Sequence, residues 1–268
     1  MPLTIVVTAK QVLDPETPAS ALQIDHARKR MVAPPTVPPV VNGYDENAVE
    51  AALRIKDALG AANVKVTVLS VGKAFVMDVI KKPLSMGADE LVLVQDEVCD
   101  ALDAFGTARV LAAAIRQMGS VDLVLSGRQA SDWDQAQVPL ILAELLGLPC
   151  VHITRKVEIK DRSVVVERVL PDGVEVVRAP LPALVTVSSE LGQPRYPTLR
   201  GIMASTRKQP VIRKVADLGL SPADLAPKVE VLDLYVPVRQ RRCEFIPGET
   251  DEEKGRNLAR RLREAKLI

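Results

Sequence analysis

Strand-like runs rich in apolar residues at 3–8, 64–71, 91–95 and 121–125, the first continuous, leave this chain few folds to choose from. A strand buried on both faces reads as a continuous run, whereas a half-exposed one alternates. Between the runs, apolar residues fall at helical spacing. Ala48, Ala51, Ala52, Ile55 and Leu59 share one face, and Gly60 follows as a stop. Further helices are predicted over 74–86, bent at Pro83, over 105–118, and over 140–146 up to Gly147. Strand and helix in alternation predict a parallel twisted sheet flanked by helices on both faces, and a fifth run at 183–187 returns to it.

The polar stretch Ser126-Gly127-Arg128-Gln129-Ala130-Ser131-Asp132-Trp133-Asp134-Gln135-Ala136-Gln137-Val138-Pro139 lies where one such strand ends and the next helix begins. Ligands of open α/β sheets bind at that edge, and a helix start presents unpaired N–H groups that suit a phosphate. Gly127 lets backbone approach closely, and Arg128 offers a fork of donors. Gln129, Gln135 and Gln137 can read polar edges, while Asp132 and Asp134 can cap the helix or bond ribose hydroxyls. Lys10 ends the first strand at the same edge. Spacing alone leaves a ligand site and a solvated, capped loop equally open. No G-x-G-x-x-G follows the first strand, so the common dinucleotide fingerprint is excluded.

Residues 13–40 are rich in proline and predict a long excursion with a short hairpin around 23–32. Asp45 is placed to cap the helix that follows. Residues 151–180 read as an antiparallel meander, turning at Lys160-Asp161-Arg162 and Pro171-Asp172-Gly173. The loop at 188–199 is polar and predicted exposed, with Leu191 standing out in it as an apolar residue. Thr250-Asp251-Glu252-Glu253 is a capping box. It opens a helix whose stripe, Leu258, Leu262 and Ala265, is too narrow for burial in a core of its own. The expected division is an α/β domain over 1–206 and an extended arm over 207–268 that ends in this helix.

Hydrophobic residues make up 47% of the 268, which supplies a sizeable core, and aromatics only 3%, so that core is Val, Leu, Ile and Ala. Lys plus Arg number 35 against 34 Asp plus Glu, a balance that argues against broad nucleic-acid or membrane-surface binding. Cys99, Cys150 and Cys243 form no CxxC, so neither a disulfide framework nor a zinc site is suggested, and a cytoplasmic location is expected. His26 and His152 are isolated and are read as structural; no metal site is expected. No signal peptide and no apolar span long enough for a bilayer are seen.

The pattern G-R-Q-A-x-D-x-D-x-x-Q resembles the nucleotide-binding loop of the β subunit of electron-transfer flavoproteins. Three further stretches agree in order: Asn42-Gly43-Tyr44-Asp45-Glu46-Asn47-Ala48-Val49-Glu50, Met86-Gly87-Ala88-Asp89, and Pro194-Arg195-Tyr196-Pro197-Thr198-Leu199. The resemblance covers residues 3–210 and implies an architecture like that of the adenine nucleotide α-hydrolases. It also implies a heterodimer whose α subunit holds the working FAD while the β subunit binds AMP structurally. Electrons would come from flavin dehydrogenases such as acyl-CoA dehydrogenases and leave toward a quinone reductase. The chain itself would supply no catalytic residue. The resemblance assigns cofactor binding to Thr8, Ala9 and Lys10, to Asn42, Gly43, Tyr44 and Asp45, to Val71, and to Gly127, Arg128, Gln129, Ala130, Ser131, Asp132, Trp133, Asp134, Gln135, Ala136, Gln137 and Val138. It assigns partner docking to Leu191, Pro194, Arg195 and Tyr196, and packing of the last helix on the α subunit. Arg207 and Lys208 stand where the family often has a longer lysine run.

Bifurcating members of the same family hold a second FAD in the β subunit and oxidise NADH. This chain shares Arg128, Gln129, Asp134, Ala136, Gln137 and Val138 with their loop, but Trp133 replaces a glycine that approaches the pyrophosphate. Outside the family, the same residues are compatible with a stand-alone nucleotide-binding stress-type protein, or with a hydrolase that uses Asp132 and Asp134 as metal ligands. The lack of a histidine or third carboxylate close by in the sequence speaks against the hydrolase.

Overall fold

A computed structural model describes residues 2–237 and 243–268. The strands are β1 (Leu3–Thr8), β2 (Gln11–Val12), β3 (Gln23–Asp25), β4 (Arg30–Val32), β5 (Val40–Val41), β6 (Val64–Gly72), β7 (Glu90–Gln95) and β8 (Leu123–Gly127). They continue with β9 (Cys150–Lys160), β10 (Ser163–Leu170), β11 (Gly173–Pro180), β12 (Ala183–Val187) and β13 (Val211–Arg213). The helices are α1 (Gly43–Leu59), α2 (Met77–Ile80), α3 (Lys82–Met86), α4 (Ala104–Gln117), α5 (Val138–Leu146), α6 (Leu199–Arg207) and α7 (Asp251–Glu264).

One sheet of nine strands runs in the order β11-β10-β9-β12-β8-β1-β6-β7-β13. Every pairing from β9 across to β13 is parallel, and only the β9-β10-β11 meander is antiparallel. The apolar runs place Ile5, Val66, Leu93 and Leu123 against α1 and α3 on one face. Val6, Leu69, Val94 and Val124 meet α4 and α5 on the other. Successive side chains of a strand point to opposite faces, so a run buried on both sides is mostly apolar along its length. From β1 the chain steps to β6 and β7, then returns to lay β8 on the opposite side of β1. The direction of winding reverses between β1 and β8, and the crevice outside their carboxyl ends is the topological switch point.

The structure differs from the sequence expectation at four places. Residues 74–86 form two short helices, not one bent helix, and Pro83 sits in the first turn of α3, where its missing N–H is harmless. The meander belongs to the main sheet, because β9 pairs with β12 in parallel. The body does not end at 206: β13 adds to the sheet edge, and Val215, Leu218 and Leu225 are buried against α4. The chain divides into Met1–Leu232 and Asp233–Ile268. The part of the expected arm at 238–242 lies outside the described residues. Leu191, expected exposed, is only 7% exposed and packs in the first core cluster.

Other expectations match. Residues 23–25 and 30–32 pair as the hairpin within the proline-rich excursion. Asp161 and Arg162 both take positive φ, the two-residue turn that suits a twisted hairpin. Thr250 caps α7 by accepting from the Glu253 N–H at 3.2 Å. The Glu253 carboxylate reaches back to the Glu249 N–H at 2.9 Å, one residue earlier than a full capping box requires. No residue of α7 is buried.

Candidate functional site

The crevice at the switch point is built from three backbone segments that the fold brings together. Thr8, Ala9 and Lys10 end β1, Asn42 to Asp45 open α1, and Gly127 to Val138 connect β8 to α5. Thr8 Oγ1 donates to Ser126 Oγ at 2.8 Å, a buried bridge between the two strands that flank the reversal. Ser126 belongs to this site, although a serine at a strand end carries no signal of such a role in the sequence.

Asp45 does not cap α1. Its carboxylate accepts from the Lys10 N–H at 2.8 Å and from the Gly127 N–H at 3.1 Å, so it ties the ends of β1 and β8 to the start of α1. Burial pushes its carboxyl up to about 7, against the hydrogen bonds from Lys10, Asn42 and Gly127. Asn42 stands at the N-cap position but turns its amide outward. Its Nδ2 donates to the Gln129 carbonyl at 2.8 Å and its Oδ1 accepts from the Ser131 N–H at 3.2 Å. One side chain thereby clips the polar loop to the helix start.

Gly127, expected to admit a ligand, makes its close contact internally: a Cβ there would lie 2.7 Å from the Tyr44 carbonyl carbon and 2.8 Å from the Asp45 nitrogen. The Arg128 guanidinium lies over the Tyr44 ring, 5.2 Å from its centroid, and its Nε donates to Gln129 Oε1 at 3.2 Å.

Asp132 and Asp134 do not cap α5 either. Asp132 receives Lys10 Nζ at 2.7 and 2.9 Å, and Asp134 accepts from Gln129 Nε2 at 2.6 Å. Asp134 and Ala136 both hold positive φ, 50° and 53°. Non-glycine residues in that region are uncommon, and such strain collects at ligand clamps. The N-cap residue of α5, Gln137, makes no side-chain cap bond, so the first amides of that helix, at Val138 and Leu140, lack a capping side chain. The Ser131 hydroxyl is shielded from solvent and has no hydrogen-bond partner. The Ser70 hydroxyl near the end of β6 is in the same position, fully buried and unpaired. Val71, its neighbour, packs against the core cluster that the sheet shares with α4 and α5. Trp133 is 47% exposed, and Gln135 is exposed with it.

A cationic Nζ, uncapped helix amides and an orphaned hydroxyl around one loop fit a phosphate-bearing group. Among the described residues no group of three or more His, Cys, Asp or Glu could hold a metal ion, and Asp132 is already paired with Lys10. Among them, too, no helix is long and apolar enough to cross a membrane.

The residues expected to dock a partner follow β12 in the chain. Leu191 ends a short turn after β12, and Tyr196 is 83% exposed before α6. Pro194 and Arg195 lie between them, and the Arg195 side chain is engaged by α1: Nε meets Glu50 Oε2 at 2.7 Å and Nη2 meets Asp57 at 2.8 Å.

The electron transfer flavoprotein domain model matches residues 32–218. The caffeyl-CoA reductase-Etf complex subunit CarD of Acetobacterium woodii is 36% identical over 99% of this chain and 100% of its own length. The electron transfer flavoprotein subunit beta of Thermoanaerobacterium thermosaccharolyticum is 36% identical over the same shares. That of Bacillus subtilis is 32% identical over 85% of this chain and 88% of its own.

Proposed function

The chain is a β subunit of the electron-transfer flavoprotein family, and from that premise we propose that it binds AMP at the β1–β8 crevice and holds an FAD-bearing α subunit in place for electron transfer. The family's electron carriers are flavoproteins of two subunits, and the FAD supplies the redox chemistry when bound. What this chain contributes is binding and orientation. Lys10, fixed by Asp132, presents a cation after β1, and α5 opens without a side-chain cap. Asn42 holds the loop that carries Asp132 and leads into α5. The single observation that carries the reading is the unpaired, solvent-shielded hydroxyl of Ser131 in that loop, a polar group with a place for one more partner. Electrons arrive from an acyl-CoA dehydrogenase or a related flavin dehydrogenase docked near 191–196 and pass toward a quinone oxidoreductase. The extended chain beyond Leu232 and α7 pack on the α subunit.

A second reading keeps the family and changes the nucleotide; half-exposed Trp133 stands where that reading needs backbone to meet a pyrophosphate. It accords with the similarity to a subunit of a caffeyl-CoA reductase complex. On this reading the same crevice takes a second FAD and the assembly oxidises NADH. Acid release and chromatography of nucleotides from the purified two-subunit assembly decides. One FAD and one AMP per assembly supports the first reading, two FAD the second, and one FAD with no second nucleotide refutes both.

A further inference from the structure

The segment 189–196 is hydrogen-bonded to one stripe of α1. Asn47 Nδ2 donates to the Gly192 carbonyl at 2.8 Å. Glu50 accepts from Arg195 at its backbone N–H (3.1 Å), Nε (2.7 Å) and Nη2 (3.2 Å). Arg54 donates to Glu50 at 2.9 Å and to the Leu191 carbonyl at 3.2 Å, and Asp57 takes the second arm of Arg195. Positions 47, 50, 54 and 57 are three and four apart, a single helical face. Glu50 is the centre of the stripe. It is 4% exposed, and both its oxygens are bound. A buried carboxylate with several charge-assisted donors has one geometry in which all are satisfied, and removing it leaves guanidinium groups without their acceptor. Although burial alone would lift its carboxyl, the bonds from Arg195 and Arg54 hold it below the usual carboxylate range. The helix that carries the stripe is itself fixed at its start by Asp45 and Asn42, so it is a rigid reference for the loop.

We propose that Glu50 is a positioning residue for partner docking: through Arg195 and Arg54 it fixes the loop 189–196 on α1 and so sets the surface that a partner dehydrogenase meets. Arg195 is then a strut inside the chain, and Tyr196, which the strut leaves standing in solvent, is the contact. The inference rests on the reading that this loop docks an electron donor, and it extends that reading to a residue buried away from the contact.

The test is made on the two-subunit assembly with Glu50→Gln, which keeps the shape and removes the charge, and with Arg195→Lys, which keeps a charge and removes the fork. Hydrogen–deuterium exchange of amides 190–193 should quicken by about tenfold in both, as expected for a locally opened segment. Flavin reduction by an acyl-CoA dehydrogenase should show an apparent KM for the dehydrogenase raised by about tenfold with kcat within about twofold, the signature of lost binding without lost chemistry. Nucleotide content should stay unchanged. Unaltered exchange in both variants overturns the strut. Quickened exchange with an unaltered KM overturns its role in docking. If the unsubstituted assembly is not reduced at all, the docking reading fails by itself, and the exchange measurement still decides whether Glu50 fixes the loop.

Discussion

The N–H of Gly127 donates to Asp45 at 3.1 Å across 82 residues of sequence, and no side chain fits between them. A Cβ on Gly127 would meet backbone atoms of Tyr44 and Asp45, which cannot rotate aside. This contact closes the back of the crevice and sets the distance from β8 to the start of α1.

Gly127→Ala is therefore expected to push α1 off the sheet. Overpacking of this kind costs about 1–3 kcal/mol, and the crevice should lose its nucleotide before the chain unfolds. Urea unfolding and released-nucleotide chromatography of the assembly check it. Full nucleotide content with unchanged stability would show that the helix start yields freely.

Asp45 carries a pH signature. Its carboxyl rises from 3.8 to about 7 on burial. Between those values the folded chain keeps a proton that the unfolded chain has lost. This group's stabilisation is therefore complete below about pH 4 and is lost as the pH rises to about 7. One proton accounts for at most about 1.4 kcal/mol per pH unit. Asp45→Asn abolishes the titration, so the variant's stability relative to the unsubstituted protein should climb from about pH 4 to about pH 7 and then level. A constant gap in urea unfolding across that range would mean that Asp45 is charged throughout.

Asp132→Ala separates binding from folding. The Lys10–Asp132 pair is half-exposed on its lysine side, and such pairs contribute about 1 kcal/mol or less. The melting temperature of the nucleotide-free protein should barely move, while nucleotide retention falls because Lys10 loses the group that aims it. Normal retention in the variant would remove Lys10 and Asp132 from the site.

Much of this fold is legible in the sequence, and the site less so, for a physical reason. Apolar runs such as 91–95 announce a strand because burial on two faces acts on nearly every residue of the run. The polar loop after β8 is equally plain, and the strand reversal places it at an edge that binds ligands. What Asp45 and Asp132 do is not plain, because a carboxylate near a helix start looks like a cap, and their true partners lie 35 to 122 residues away. Leu191 misleads for the converse reason. Its neighbours in sequence are polar, but Asn47 and Arg54, far back on α1, hold the adjoining carbonyls so that its side chain turns inward. The boundary at 206 fails because β13 has three residues, too short for periodicity to register.

Leu191 yields a prediction that the sequence alone does not. A buried leucine cut to alanine costs about 2–5 kcal/mol, and a swap to methionine under about 1.5. Leu191→Ala should lower the melting temperature and, on the proposed function, slow reduction by the dehydrogenase together, since the buried side chain seats the loop proposed to dock. Leu191→Met should preserve the melting temperature to within a few degrees. Slower reduction by the methionine variant at unchanged stability isolates the docking role. An alanine variant as stable as the original would contradict the buried seat.

The end of the α/β body is open to direct test by truncation. Val215, Leu218 and Leu225 are buried against α4, and β13 pairs with β7 from Val211 to Arg213. A chain ending at Leu232 keeps all of these contacts, whereas one ending at Arg207 loses three buried apolar side chains and a sheet edge. Fully burying one such side chain contributes about 1.5–3 kcal/mol, so the shorter chain forfeits a large share of a typical domain's stability. The longer truncate is expected to bind its nucleotide and melt cooperatively, yet to hold the α subunit more weakly than the full chain. Size-exclusion chromatography with and without the α subunit, beside calorimetry of both truncates, separates these claims. Equal stability of the two truncates would show that β13 and the buried residues after it add nothing to the body. Undiminished affinity of the longer one would show that residues 233–268 do not engage the α subunit.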